Sequence, residues 1–167
     1  MKTVIVIVIV IVAVLGLGFL LFQQSNKPQG DLPGQAFEVQ GAEHMPGCTP
    51  GETPYNSNPP TSGCHDPQPA AWGIYSQTLS DQAAIHNLEH GGIWISYLPD
   101  KIDAETVVKL NDFAKRYRKV VVEPRTANDA NIVLAAWGHL QKFEAFDESG
   151  IIRFIEAFYD QGPEKVN

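Results

Sequence analysis

The stretch that decides the fold runs from residue 93 to residue 137 and reads IWISYLPDKIDAETVVKLNDFAKRYRKVVVEPRTANDANIVLAAW. Apolar, β-prone runs in it predict buried strands at Ile93–Leu98, Val120–Glu123 and Ile132–Trp137. Between the first two runs, apolar residues recur at helical spacing over Ala104–Arg118, which predicts an amphipathic helix packed on a sheet. A strand, a helix and two further strands in this order indicate an α/β fold.

The flanking sequence supplies further elements. Ser80 is a candidate N-cap and Gly91 a candidate end for a short helix at Asp81–His90. After the last buried strand, Gln141–Phe146 predicts a weaker strand, and the apolar pattern of Asp147–Tyr159 predicts a closing helix. The elements together predict a single α/β domain, a layered α/β sandwich.

The N-terminal stretch Thr3–Phe22 has no charged residue and no proline, and as a helix it would cover about 30 Å, the thickness of a bilayer's hydrocarbon core. A cleaved signal peptide is the alternative, but Gln23–Gly30 offers no small-residue cleavage site. We therefore predict a transmembrane anchor at residues 1–22, a flexible tether at residues 23–35 and a domain at residues 36–167. Lys2, before the helix, favours placing this domain on the extracytoplasmic side.

Composition limits the partners. The chain has 167 residues and a formal net charge of −7, which falls almost wholly on the part beyond the predicted anchor. Such a surface repels nucleic acid and anionic lipid headgroups. The sequence has no Gly-rich phosphate loop, nucleophile elbow or dinucleotide fingerprint, which argues against nucleotide-driven and serine-hydrolase functions. A membrane contact is expected only through the N-terminal helix.

A long loop carries the only two cysteines. Residues 41–69 are rich in Pro, Gly, Ser and Asn, and Cys48 and Cys64 lie within them. Outside the cytoplasm a structural disulfide is the natural interpretation, and it would keep so long a loop ordered. The alternative is that both thiols stay free and bind a metal ion such as zinc.

Four of the five histidines lie close together in the sequence. His44 and His65 are in the loop, and His86 and His90 are four residues apart on the predicted helix, so they share one face. Met45 follows His44 directly. Imidazole and thioether together suit copper, as Cu(I) or Cu(II). For the two helix histidines alone, the simpler interpretation is that they only line a partly exposed face of the helix.

The helix also carries His86-Asn87-Leu88-Glu89-His90, an H-x-x-E-H pattern typical of one class of zinc protease, in which the glutamate acts as base. Such a site needs a distant third ligand, and Glu144, Glu148 and Glu156 are the candidates. We expect Glu89 instead to orient a ligand histidine through a hydrogen bond or to serve as a surface charge.

Several longer motifs occur together around these residues: YNSNPPTSG at 55–63, His65, AWGIY at 71–75, HNLEHGG at 86–92, VVEPR at 121–125 and AAWG at 135–138. With them, the sequence from about Gly41 to Glu164 resembles a bacterial family known as domain of unknown function 3105. The resemblance implies an exported or membrane-anchored protein.

The resemblance also bears on the site residues. The histidine motifs of the family correspond to His44, His65, His86 and His90. The position of His139 is more often arginine, which argues against His139 as a ligand. Proline is usual where this chain has Cys64. A metal site common to the family would then not depend on thiols, which supports the disulfide.

The leading hypothesis is an extracytoplasmic protein that binds one copper ion through His86, His90 and His65, with His44 or Met45 completing the site. Its role would be copper binding, transfer or sensing, with a membrane-bound metal-handling or redox partner. Two alternatives remain open: a zinc-dependent hydrolase that uses Glu89, and a metal-free structural or interaction module.

Overall fold

The computed structural model of the chain describes residues 32–165, and in this part it contains six strands and three helices. In chain order the elements are β1 (Gln35–Ala36), β2 (Gly73–Ile74), α1 (Asp81–Glu89), β3 (Ile93–Tyr97), α2 (Ala104–Arg116), β4 (Val120–Pro124), β5 (Ile132–Ala136), β6 (His139–Phe143) and α3 (Glu148–Phe158). The predicted mixed α/β class is confirmed. The sequence did not reveal β1 and β2, because two-residue strands are too short for an apolar pattern.

Helix α1 begins and ends where its sequence predicts. The Ser80 side chain accepts a hydrogen bond from the Ala83 N–H at 3.2 Å. Gly91 ends the helix with a φ of 78°. A Cβ at Gly91 would lie 2.7 Å from the Cα of Asp160, so glycine is required both for the turn and for the close approach of the C-terminal segment.

The strands form one sheet in the order β1-β6-β5-β3-β4-β2. β3 and β4 pair in parallel, because α2 carries the chain back across the sheet, whereas β5 lies antiparallel to β3 and to β6. The predicted weak strand at Gln141–Phe146 begins two residues earlier, at His139. Ala136 pairs directly with His139, and Gly138 with a φ of 69° allows the two-residue turn between them.

Each face of the sheet packs on helices. The larger core lies between one face and helices α2 and α3, and its fully buried members include Ile93, Ile95, Leu110, Phe113, Phe154 and Ile155. The opposite face packs Trp94, Val121 and Ala135 against Ala84 and Leu88 of α1. Alternate residues of β3 therefore pack into different cores. The buried apolar side of α1 holds this helix against the sheet.

Arg125, directly after β4, fastens α1 and the long loop to the sheet. Its Nε and Nη2 donate to the two carboxylate oxygens of Asp81 at 2.9 and 2.8 Å. Its Nη1 donates to the side-chain oxygens of Asn58 at 2.7 Å and Asn128 at 3.0 Å. A planar guanidinium with several fixed N–H groups is suited to join three segments in this way. The VVEPR motif thus has a structural role.

The predicted anchor at residues 1–22 lies outside the described residues, as does most of the predicted tether. Between residues 32 and 165, no helix has the length and apolar character needed to cross a membrane.

Glu123 in the same motif is a buried carboxyl group. It is fully buried and accepts hydrogen bonds from the Trp94 indole N–H at 2.9 Å and from the Leu79 N–H. Burial raises the pKa of Glu123 to about 7 from an ordinary value of 4.5, although both hydrogen bonds and the nearby Arg125 act in the opposite direction.

We predict that Glu123 makes the domain less stable as the pH rises from about 4.5 to about 7. In this range the unfolded chain has released the Glu123 proton while the folded chain retains it, so its contribution to the free energy of unfolding decreases, by on the order of 2 kcal/mol. Urea unfolding of metal-stripped protein at several pH values measures this. The Glu123→Gln variant should lack that part of the pH dependence, and the exposed Glu156→Gln variant should keep it. Equal pH profiles for wild type and Glu123→Gln would contradict the prediction.

Candidate metal centre

Two segments of the long loop run side by side and bring His44 next to His65. The Gly63 N–H donates to the Gly41 carbonyl at 3.0 Å, the His65 N–H donates to the Glu43 carbonyl at 3.1 Å, and the Met45 N–H donates to the His65 carbonyl at 2.9 Å. His44 and His65 thereby form a parallel β-bridge. The pairing places both imidazole rings on the same site, with ring centroids 4.6 Å apart.

The predicted disulfide is confirmed and closes this part of the loop. Cys48 and Cys64 are bonded, with an S–S distance of 2.02 Å, and the bridge spans 16 residues. Cys64 directly precedes His65. Closing a loop of this size stabilises a fold by about 3 kcal/mol in the chain-entropy model, because the unfolded chain loses freedom. The bridge therefore restrains the segment that carries His44 beside the segment that carries His65.

Helix α1 and its cap supply the other side of the site. His86, Glu89 and His90 are spaced three and four residues apart, so their side chains lie on one face. The His86 ring is stacked on that of His44, with centroids 4.9 Å apart, and is perpendicular to that of His90 at 4.5 Å. The side chains of the loop and the helix therefore meet in one cluster.

Backbone carbonyls fix the protonation of two buried rings. The His65 Nδ1–H donates to the Gly63 carbonyl at 2.7 Å, and the His86 Nδ1–H donates to the Asp66 carbonyl at 2.7 Å. Because a carbonyl oxygen only accepts hydrogen bonds, Nδ1 carries the proton in both rings. In a neutral ring the lone pair then lies on Nε2, which in both residues points into the cluster.

The carboxylate of Glu89 lies among these nitrogens. Its Oε2 is 3.1 Å from His65 Nε2 and 3.3 Å from His44 Nε2. Two lone-pair atoms at this separation repel each other unless a proton or a cation lies between them. The ligand atoms of His44, His65, His86 and Glu89 all lie within 4.8 Å of one another. A tetrahedral metal ion with bonds of about 2.0 Å separates its ligands by about 3.3 Å, so this spacing suits coordination.

A second group of ligand atoms overlaps the first. His90 Nε2 lies 3.1 Å from His86 Nε2 and 3.1 Å from Glu164 Oε2. The ligand atoms of His86, Glu89, His90 and Glu164 again lie within 4.8 Å of one another. His86 and Glu89 thus belong to both groups.

Burial keeps the inner part of the cluster dry. The side chains of His65 and Glu89 are 0% and 7% exposed, whereas that of His44 is 41% exposed and that of Glu164 is 53% exposed. Burial lowers the pKa of His86 from its ordinary value, since the charged ring would lose its hydration, and the neighbouring His90 and His65 act in the same direction. A neutral His86 keeps its Nε2 lone pair available to a metal ion.

The structure thus brings together His44, His65, His86 and His90, the four histidines that the sequence singled out. Glu89, which we expected behind a ligand histidine, places its carboxylate among the ring nitrogens. Met45 adjoins the site through its backbone, and its role as a thioether ligand stays a prediction. His139 lies elsewhere, with its ring stacked on Phe158 at 4.2 Å.

The sequence did not point to Glu164 as a candidate site residue. The candidate distant carboxylates were Glu144, Glu148 and Glu156, and none of them belongs to either group of ligand atoms among the described residues. Glu164 lies 74 positions after His90, and its N–H donates to the Glu89 carbonyl at 3.1 Å. A contact over such a distance in sequence leaves no periodic signal. Gly162 packs closely against the end of α1, but the glycine alone gives no signal of this contact in the sequence.

Comparison with known proteins agrees with the sequence motifs. No curated protein and no solved structure matches the chain. A family model described as "Protein of unknown function (DUF3105)" matches residues 47–167, more than two-thirds of the chain, and the matched part includes His65, His86, Glu89 and His90. The chain therefore belongs to the DUF3105 family.

Proposed function

We propose that this domain binds a copper ion through the group formed by His44, His65, His86 and Glu89, for copper binding, transfer or sensing. The observation that carries the proposal is the pair of Nδ1–H hydrogen bonds to backbone carbonyls, at Gly63 and Asp66. Ligand histidines are commonly oriented in this way, since the bond at one nitrogen fixes the lone pair at the other.

The set of ligand atoms favours a divalent ion. Three imidazole nitrogens and one carboxylate oxygen accommodate Cu(II) and Zn(II), and a site of this kind binds Cu(II) more tightly than Zn(II). The negative charge of Glu89, buried among histidines, is balanced by a cation. Cu(I) would be favoured if the Met45 thioether were to replace the carboxylate, because soft sulfur prefers that state.

We predict that loss of a single cluster histidine weakens copper binding at least about tenfold, the loss typical of removing even an outer partner of a metal ligand. His44→Ala and His86→Ala test this in the full chain, purified in detergent, stripped with a chelator and titrated with Cu(II) against a chromophoric competitor. His139→Ala is the matched control, because that ring lies outside the cluster, and it should bind copper as the wild type does. Unchanged affinity in His86→Ala would contradict the proposal.

Glu89 distinguishes copper binding from the alternative of zinc-dependent hydrolysis. Its Oε2 lies 3.3 and 3.1 Å from two ring nitrogens, which is the separation of two ligand atoms on one metal ion, and this favours a role as a ligand. A general base would instead act on a water bound to zinc.

We predict that Glu89→Gln lowers the affinity for Cu(II) at least about tenfold, because a neutral amide replaces an anionic ligand. The same titration measures it, together with hydrolysis assays on the zinc-loaded protein. Retained metal with loss of a hydrolytic activity would favour the enzyme instead. A wild-type chain that binds neither metal, and whose melting temperature chelators leave unchanged, would favour the metal-free module.

We also propose that the domain works on the extracytoplasmic side of a membrane, held there by residues 1–22, where it would exchange copper with a membrane-bound metal-handling or redox partner. The disulfide supports this location, because such bonds persist in oxidising compartments and are rare in the cytosol. The acidic composition supports a small cation as ligand rather than a nucleic acid.

We predict that the two sulfurs are already bonded in growing cells. Rapid acid quenching followed by alkylation and mass spectrometry measures their state. Cys48 and Cys64 should resist alkylation until a reductant is added. Free thiols in quenched cells would contradict the proposed location.

A further inference from the structure

The C-terminal segment is fastened to the end of helix α1 at several points. The Asp160 N–H donates to the Gly91 carbonyl at 2.8 Å, and the Glu164 N–H donates to the Glu89 carbonyl at 3.1 Å. Gly162 fits between them, where a Cβ would come within 2.1 Å of the Glu89 carbonyl oxygen. This packing excludes any side chain at Gly162 and places the Glu164 carboxylate beside His90.

Lys119 secures the same segment from the sheet. Its Nζ donates to the His90 carbonyl at 3.2 Å and to the Asp160 carboxylate at 2.6 Å. The ammonium group thus joins the cap of α1 to the start of the C-terminal segment. Glu164 is therefore held at the cluster by tertiary contacts, although its side chain is half exposed.

The six ligand side chains of the cluster fall into two groups and not into one. Four histidines and two glutamates form two overlapping groups of four, with His44 and His65 in one and His90 and Glu164 in the other. Ligand atoms on a single ion with bonds of about 2.2 Å lie within about 4.4 Å of one another. Among the described residues, no group of atoms within 4.8 Å of one another contains both outer pairs, so the two pairs are suited to different ions.

Glu89 belongs to both groups, and a carboxylate has two oxygens. Its Oε2 lies near His44 and His65. A bridging carboxylate binds the second ion through its other oxygen, which here is Oε1. Carboxylate-bridged ions of this kind lie about 3.5 to 4 Å apart in two-metal sites.

We propose that the chain holds a second divalent metal ion at His90 and Glu164, bridged by Glu89 to the first ion. This inference rests on the proposed copper site at His44, His65, His86 and Glu89. With two carboxylates and two divalent cations, the centre keeps a net positive charge and can take an anionic ligand such as hydroxide. The half-exposed Glu164 places the second ion close to solvent.

Metal stoichiometry tests the second ion. The full chain in detergent, loaded with Cu(II) and freed of excess, is measured by elemental analysis and native mass spectrometry. Two copper ions per chain are expected in the wild type and one in Glu164→Gln. The Glu156→Gln variant, which changes an exposed glutamate on α3, should keep two.

Electron paramagnetic resonance gives a second measurement. Two Cu(II) ions about 4 Å apart couple their spins, so the wild-type signal should account for much less copper than elemental analysis finds. The single ion left in Glu164→Gln should give a full signal. This comparison in the wild type stands even if the variant fails to fold.

Three outcomes would count against the proposal in different ways. One copper ion per wild-type chain with a full signal would overturn the second ion and leave the first site intact. Two ions in both the wild type and Glu164→Gln would overturn the role of Glu164. No copper in the wild type would overturn the proposed function itself.

Discussion

The site depends on two hydrogen bonds from imidazole Nδ1–H groups to backbone carbonyls, those of His65 to Gly63 and of His86 to Asp66. They turn two buried rings so that Nε2 of His65 meets the Glu89 carboxylate and Nε2 of His86 meets Nε2 of His90. Without a cation or protons this arrangement would bring lone pairs together in a dry environment, which is costly. The attachments of the long loop to the rest of the fold hold these two carbonyls in place.

The loop that provides the carbonyls has no helix and contains only isolated bridges, so its position depends on attachments to other elements. The Cys48–Cys64 bond closes it, the His44–His65 bridge pairs its two segments, and Arg125 connects Asn58 to the first turn of α1. Each attachment joins segments that are distant in sequence. The motifs by which the family is identified therefore divide between the histidines of the cluster and the residues that hold them in place.

Much of the sheet and its helices was predictable, because long apolar runs and helical periodicity report burial directly. Strands β3, β4 and β5 and helices α1, α2 and α3 begin within a residue of the predicted positions. Strand β6 differed by two residues, because the tight turn at Gly138 starts it at once. β1 and β2 were not predicted, because they are defined by their pairing in the sheet and not by an apolar pattern of their own.

The sequence by itself determined the α/β class and the four histidines worth considering, and it favoured a disulfide between the only two cysteines, because residue type and spacing carry these properties. Only the tertiary structure decided that Glu89 lies among the ring nitrogens, that Nδ1 carries the proton in His65 and His86, and that Glu164 joins His90. Ring orientation depends on carbonyls of the folded loop, and the Glu164 contact spans 74 positions. Neither leaves a trace in local sequence, because both arise from packing between distant segments.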